Sequence, residues 1–159
     1  MAFNIENLFN FNQNSPFVIA EISCNHMGEK KILKSTIDAA FSSKADAVKL
    51  QSSEPNCLTR NFGGTEFKVN DLNSPWHGIH LWKLYQETCT PINWPISFIN
   101  KKDYGSKIIF STPFSPKMVS FLEDNAQPKI YKISSIDWNY FELLEACILT
   151  GKPVLISLV

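Results

Sequence analysis

An all-parallel α/β sheet is the fold class this sequence predicts, and three observations predict it. Short apolar runs at 17–22, 47–51, 107–110, 130–134 and 153–158 alternate with stretches of helical period, and no hairpin signal lies between them. The second and fourth runs each hold a lysine in mid-strand, Lys49 and Lys132. Polar groups gather where the runs end: Glu21 after the first, Ser111-Thr112 after the third, Ser134-Ser135 after the fourth.

Two architectures fit that pattern. A doubly wound, five-stranded α/β domain would be complete at 159 residues, whereas a TIM (β/α)8 barrel would be truncated after its fifth strand. The lysines favour the barrel. If Val48 and Leu50 point at the covering helices, Lys49 points to the opposite face of the sheet. In an open sheet that face is also covered, and a buried amine there is costly without a partner. In a barrel it points inward near a mouth, where catalytic side chains collect at the C-terminal ends of strands.

The elements can be justified in order. Residues 1–16 are an asparagine- and phenylalanine-rich lead-in with no chemistry assigned; residues 17–159 form the partial barrel. After the first strand, the polar turn Ser23-Cys24-Asn25-His26 leads into a helix at 29–42, in which Leu33, Ile37, Ala40 and Phe41 make one apolar stripe. Asn25-His26 either caps this helix or takes a direct part in the site. The second strand is followed by a polar connection over 52–73 containing Gly63-Gly64, long enough to be read as a loop over the active face. Helices are expected at 79–86, with Leu81, Leu84 and Tyr85 apolar, and from Asn93 as its cap, with Pro95 in the first turn. His77 and His80 are three apart, but with no third ligand nearby the favoured reading is two exposed histidines beside a helix start. Ser115-Pro116 is a strong start signal for a helix burying Met118, Val119 and Leu122. The last helix, 139–149, should turn Phe141, Leu144 and Ile148 inward and stop at Thr150-Gly151.

Composition narrows the function classes. The chain is 44% hydrophobic and 19% charged, with 15 basic and 15 acidic residues, so it reads as globular and not as a nucleic-acid binder. Four cysteines without CxxC spacing (Cys24, Cys57, Cys89, Cys147) are read as reduced thiols of a cytoplasmic protein. No apolar run approaches the ~20 residues of a membrane span, and no signal peptide is expected at the N-terminus.

The segments AEISCNHMG, ADAVKLQ, FSTPF, YKISS and TGKPVLIS, in this order and spacing, resemble the N-terminal barrel domain of the sialic acid synthase family. That family includes the N-acetylneuraminate, legionaminic and pseudaminic acid synthases. The resemblance implies condensation of phosphoenolpyruvate (PEP) with an N-acetylated sugar aldehyde to a nonulosonic acid, releasing phosphate, with a divalent metal, Mn²⁺ or Mg²⁺, as electrophile activator. It implies PEP-binding roles for Lys49, Thr112, Lys132, Ser135 and Ser157, a catalytic carboxylate in Glu21, and sugar contacts from Gln51 and Asp137. The sequence departs from the family at Ile136-Asp137, where glycine and an acid are usual, at Ser157-Leu158-Val159, where Ser-Thr-Gly is usual, and at Lys44, where glycine is usual. The resemblance also places the last three strands, both metal-binding histidines and the small antifreeze-like C-terminal domain outside this chain.

The expected partners are therefore PEP, an N-acetylated sugar, and a missing barrel half or a homodimer mate. Two alternatives stay open: a Schiff-base aldolase with Lys132 as nucleophile, and a non-catalytic truncated or split-gene half-barrel. Each strand lysine could also be a structural one paired with a buried carboxylate. Unpaired edges at 17–22 and 153–158 lead us to expect an isolated chain that self-associates and lacks synthase activity.

Overall fold

A computed structural model describes residues 16–105 and 107–158; the expected lead-in lies almost wholly outside them. Five strands pair in parallel, in the order β1 (Ile19–Glu21), β2 (Ala47–Ser52), β3 (Ile108–Pro113), β4 (Tyr131–Ile133), β5 (Val154–Ile156). That order decides between the two architectures. A doubly wound sheet reverses direction at a switch point; here every crossover advances the same way, which for right-handed connections puts all the helices on one face. The opposite face becomes the concave interior of a curled half-barrel. The doubly wound alternative is set aside on this ground.

The helices are α1 (Lys30–Ser42), α2 (Pro55–Leu58), α3 (Leu81–Thr88), α4 (Asn93–Ile99), α5 (Pro116–Asn125) and α6 (Phe141–Leu149). In α1, Leu33 and Ile37 are fully buried, and Ala40 and Phe41 pack beside them against Val48, Leu50 and Phe98. Ser115 caps α5 as expected: its hydroxyl accepts the Met118 amide at 3.2 Å, with Pro116 in the first turn. The expected cap of α4 is not seen. Asn93 is already helical, Ile92 occupies the cap position, and no side chain bonds the helix start. The expected face of α6 is also corrected. Leu143 and Cys147 are the buried pair, whereas Phe141 and Ile148 are 72% and 62% exposed. This helix is apolar nearly all round, so periodicity alone could not choose its inner face. The connection 52–73 is not wholly irregular, since it contains α2 and a 3₁₀ turn at Thr65–Phe67.

Alternation along the strands sorts residues by layer. Val48, Leu50 and Ile109 face the α1/α4 core, and Tyr131 and Ile133 face the α5/α6 core. On the concave side, Ala47, Ile108, Phe110 and Ile130 form an apolar floor with Ile19 and Leu155. One pleat further along the same strands stand Glu21, Lys49, Thr112, Lys132 and Ser157. Each strand thus begins apolar and ends polar on its inner face.

Candidate functional site

Above that floor lies a cavity of about 500 Å³, lined by the C-terminal ends of all five strands. Glu21, Lys49, Gln51, Thr112, Lys132, Ser135 and Ser157, all anticipated from the sequence, line it together. Asp137 does not; it lines neither this cavity nor its neighbour. Its carboxyl sits in the turn after β4, where burial raises its pKa and Oδ2 has no hydrogen-bond partner among the described residues.

The two lysines occupy different settings. Lys49, 11% exposed, is ion-paired with Glu21 and donates to Thr112 Oγ1 at 3.0 Å. Burial, and secondarily the like charge of Lys132, bring its pKa down to about 8 even with Glu21 alongside. Lys132 donates to the Ile133 carbonyl at 2.8 Å and to Ser157 Oγ, both uncharged oxygens. Burial lowers its pKa too. Both lysines line this one cavity. A ligand there meets two cations, one carboxylate and several hydroxyls, an arrangement that holds an anion of more than one charged group.

Sequence reasoning missed several lining residues. Ser23 orients Glu21, donating from its amide at 2.9 Å and its hydroxyl at 3.2 Å to Oε1. Leu58 of α2, within the long connection, and Tyr85 of α3 reach the cavity. No period or motif marks such wall residues in advance. Asn25 bonds the Ile22 carbonyl at 3.1 Å and so braces the turn after β1. His26 is a core residue, 1% exposed, packed edge-on against Trp94. Its Nδ1 accepts the Gly28 amide at 3.1 Å, leaving Nε2–H to donate to Thr90 Oγ1 at 2.9 Å. Burial lowers its pKa, in keeping with that neutral ring.

The divalent metal that the resemblance implies does not fit these residues. No group of three or more His, Cys, Asp or Glu side chains converges among the described residues. Glu21 is already engaged by Lys49 and Ser23, and both nitrogens of His26 are used. His77 and His80 do not share a helix face: His77 lies in an exposed turn, and His80 precedes α3 and forms a bridge with Lys68.

Fold and site together define a barrel-type α/β protein with a cationic, hydroxyl-rich cavity at the C-terminal ends of its strands. Residues 36–158 match the NeuB family, and the chain belongs to that family. It is 34% identical over 145 residues to the pseudaminic acid synthase of Helicobacter pylori, which covers 89% of this chain and 41% of that protein. It is 32% identical over 148 residues to the N-acetylneuraminate-9-phosphate synthase of Mus musculus, covering 89% of this chain and 38% of that protein. Among solved structures, the N-acetylneuraminic acid (sialic acid) synthetase of Leptospira borgpetersenii serovar Hardjo-bovis, in complex with citrate, is 25% identical with a TM-score of 0.65. That match covers 88% of this chain and 43% of the other. The chain thus spans about two fifths of the length of the relatives it matches. Among the described residues no helix is long and apolar enough to cross a membrane.

Proposed function

We propose that the cavity binds phosphoenolpyruvate, and that this chain supplies the PEP half of a synthase joining PEP to an N-acetylated sugar aldehyde. The observation that carries this reading is the convergence of Lys49 and Lys132 from β2 and β4 on one hydroxyl-lined cavity. PEP has two anionic ends. Lys132 has no carboxylate partner among the described residues, so it meets the phosphate, with Ser135 and Ser157 donating beside it. Lys49 and Thr112 meet the carboxylate.

In the proposed reaction, C3 of PEP attacks the aldehyde carbon and a new C–C bond forms. The carbonyl oxygen takes a proton, and positive charge develops at C2. Water adds to C2, losing a proton, and the C–O bond to phosphate breaks to leave a 2-keto acid and inorganic phosphate. Glu21, at the cavity wall and held by Ser23, takes the proton from that water. The two lysines balance charge as the phosphate departs.

Calorimetric titration of the chain with PEP, beside pyruvate and inorganic phosphate as single-ended controls, tests the reading. PEP should bind at least about ten-fold more tightly than either control, since both ends are held at once. Equal affinities, or borohydride trapping of pyruvate on Lys132, would transfer the assignment to simple anion binding or to the Schiff-base aldolase.

A further inference from the structure

A glutamine side chain has two ends of opposite polarity. Which end Gln51 shows to the anion cavity decides whether it attracts or repels a ligand made of acceptor oxygens. Gln51 stands on the wall between that cavity and a second one of about 620 Å³, which Cys24 lines with it. A relay of hydrogen bonds behind Gln51 sets its orientation, and it can be followed outward from the core.

The relay starts at the Gly28 amide, which can only donate. His26 Nδ1 accepts it at 3.1 Å, so the single proton of the neutral ring sits on Nε2. From there it is donated to Thr90 Oγ1 at 2.9 Å. Thr90 is 3% exposed, and its own hydroxyl proton turns to Cys24 Sγ, at 4.0 Å the longest link. Burial pushes the Cys24 thiol up, so it keeps its proton at neutral pH. That proton is donated to Gln51 Oε1 at 3.2 Å. Every link runs the same way, and hydrogen bonds aligned in this manner polarise and strengthen one another. Cys24 lines only the second cavity, so the far end of the Gln51 amide, its Nε2, is turned to the first.

We propose that Cys24, Thr90 and His26 are positioning residues that hold Gln51 with its amide donors toward the anion cavity. Gln51 then adds a donor beside Lys49 and Lys132, and the cavity selects a ligand whose facing atoms all accept. Without the relay the amide is free to turn, and its carbonyl would meet the anion. The ligand used below rests on the PEP reading above; the polarity of the relay rests on the hydrogen bonds alone.

Two measurements test this. In the first, PEP is titrated calorimetrically into the parent chain and its variants. Gln51→Leu removes the donor and should weaken PEP about ten-fold, the low end for a hydrogen bond to a charged group. Cys24→Ala should weaken it about two- to five-fold, as the donor-inward orientation falls to half of the population or less. Cys24→Ser, whose hydroxyl also donates, should restore the parent's affinity. In the Gln51→Leu background, Cys24→Ala should cost nothing further. An equal loss in both backgrounds would make Cys24 a packing residue and overturn the proposal, as would no loss in Cys24→Ala alone. The second measurement needs no ligand. The infrared S–H stretching band of Cys24 is assigned by its absence in Cys24→Ser. A thiol that donates absorbs at lower frequency than a free one, so the band should rise in Gln51→Leu and, by less, in Thr90→Val. A band unmoved in Gln51→Leu overturns the proposal, and one unmoved in Thr90→Val removes Thr90 and His26 from it. If no PEP binds, the synthase reading falls and the infrared band alone decides the orientation of Gln51.

Discussion

Strands β2 and β4 carry the same device, a lysine in mid-strand facing the concave side, in two unlike settings. Lys49 comes with its own carboxylate: Glu21 on the neighbouring strand sits in register with it and neutralises it. Among the described residues, Lys132 is met only by the Ile133 carbonyl and the Ser157 hydroxyl. A buried cation with a carboxylate beside it needs no ligand, but one held by neutral oxygens is stabilised by an incoming anion. The difference teaches where a ligand's stronger charge belongs. It also bears on the plainer reading of both lysines as structural: the Glu21 pairing makes Lys49 stable without a ligand as well as with one, whereas Lys132 has no such charged partner among the described residues.

Removing Lys132 should therefore have the largest effect. Lys132→Met is expected to weaken PEP binding by roughly 1.5–3 kcal/mol, the range of a hydrogen bond to a charged group. Titration calorimetry reads this directly, and a loss below about two-fold would break the distinction between the two strands.

Glu21→Gln sharpens the same comparison from the other side. It removes the partner of Lys49 and leaves the cationic set intact, so PEP affinity should stay within about two-fold of the parent, or rise. In a synthase completed by the remaining strands, turnover should fall at the same time, by about 10²-fold or more for loss of a proton acceptor. Loss of PEP binding with turnover retained per bound PEP would reverse the roles of Glu21 and Lys132.

Much of this was legible in the sequence, and the reason is the barrel's own geometry. A lysine between Val48 and Leu50, if these two face the helices, faces the opposite side of the sheet, so Lys49 marks the interior from sequence alone. Five strands, their order along the chain and the cap at Ser115 follow from local rules that nothing tertiary contests here. What stayed hidden had no local signature. The inner face of α6 was obscure because Phe141, Leu143, Leu144, Ile148 and Leu149 leave scarcely a polar face to contrast. The second cavity was hidden because its walls come from β1–α1, α2 and α3, segments up to dozens of positions apart whose meeting is purely tertiary. His26 shows the converse: a histidine in a polar turn invited a role in the site, and burial gave it one in the core.

A pH titration separates the lysines without any substitution. Lys49 in the free protein titrates at about 8, against 10.5 ordinarily. A bound anion favours its charged form, so PEP affinity should be full below pH 8 and fall as pH rises through it. The limiting slope is up to about ten-fold per pH unit. Stability should run the other way. Between about 8 and 10.5 the unfolded chain holds a proton on Lys49 that the folded chain does not, so the fold gains stability with rising pH over that window. Opposite slopes for binding and for urea-unfolding stability are expected. In Glu21→Gln the binding break should move below pH 8, because the carboxylate that favours charged Lys49 is gone.

The smallest effect lies in the turns that deliver these strands. Helix α1 ends with Lys44 at φ 70°, and helix α6 ends with Gly151 at φ 69°, two helix–strand turns with the same left-handed residue. At Lys44 the turn closes with its amide on the Phe41 carbonyl and the Ala45 amide on the Ala40 carbonyl, both at 3.1 Å, the paired bonds of a Schellman ending. Glycine adopts this conformation freely, but an L residue pays about 1–2 kcal/mol for it. Part of that gain is offset by the greater freedom of glycine in the unfolded chain, so Lys44→Gly should stabilise the fold by about 0.5–1 kcal/mol. Gly151→Ala should destabilise it by a similar amount. Lys44 is exposed and lines neither cavity, so PEP binding should not change in Lys44→Gly. Urea unfolding of the two variants beside the parent gives the check. Equal and opposite shifts would establish that the β2 and β5 turns are the same device, one built with the fitting residue and one without. A destabilised Lys44→Gly would mean that the lysine side chain holds its turn by contacts of its own.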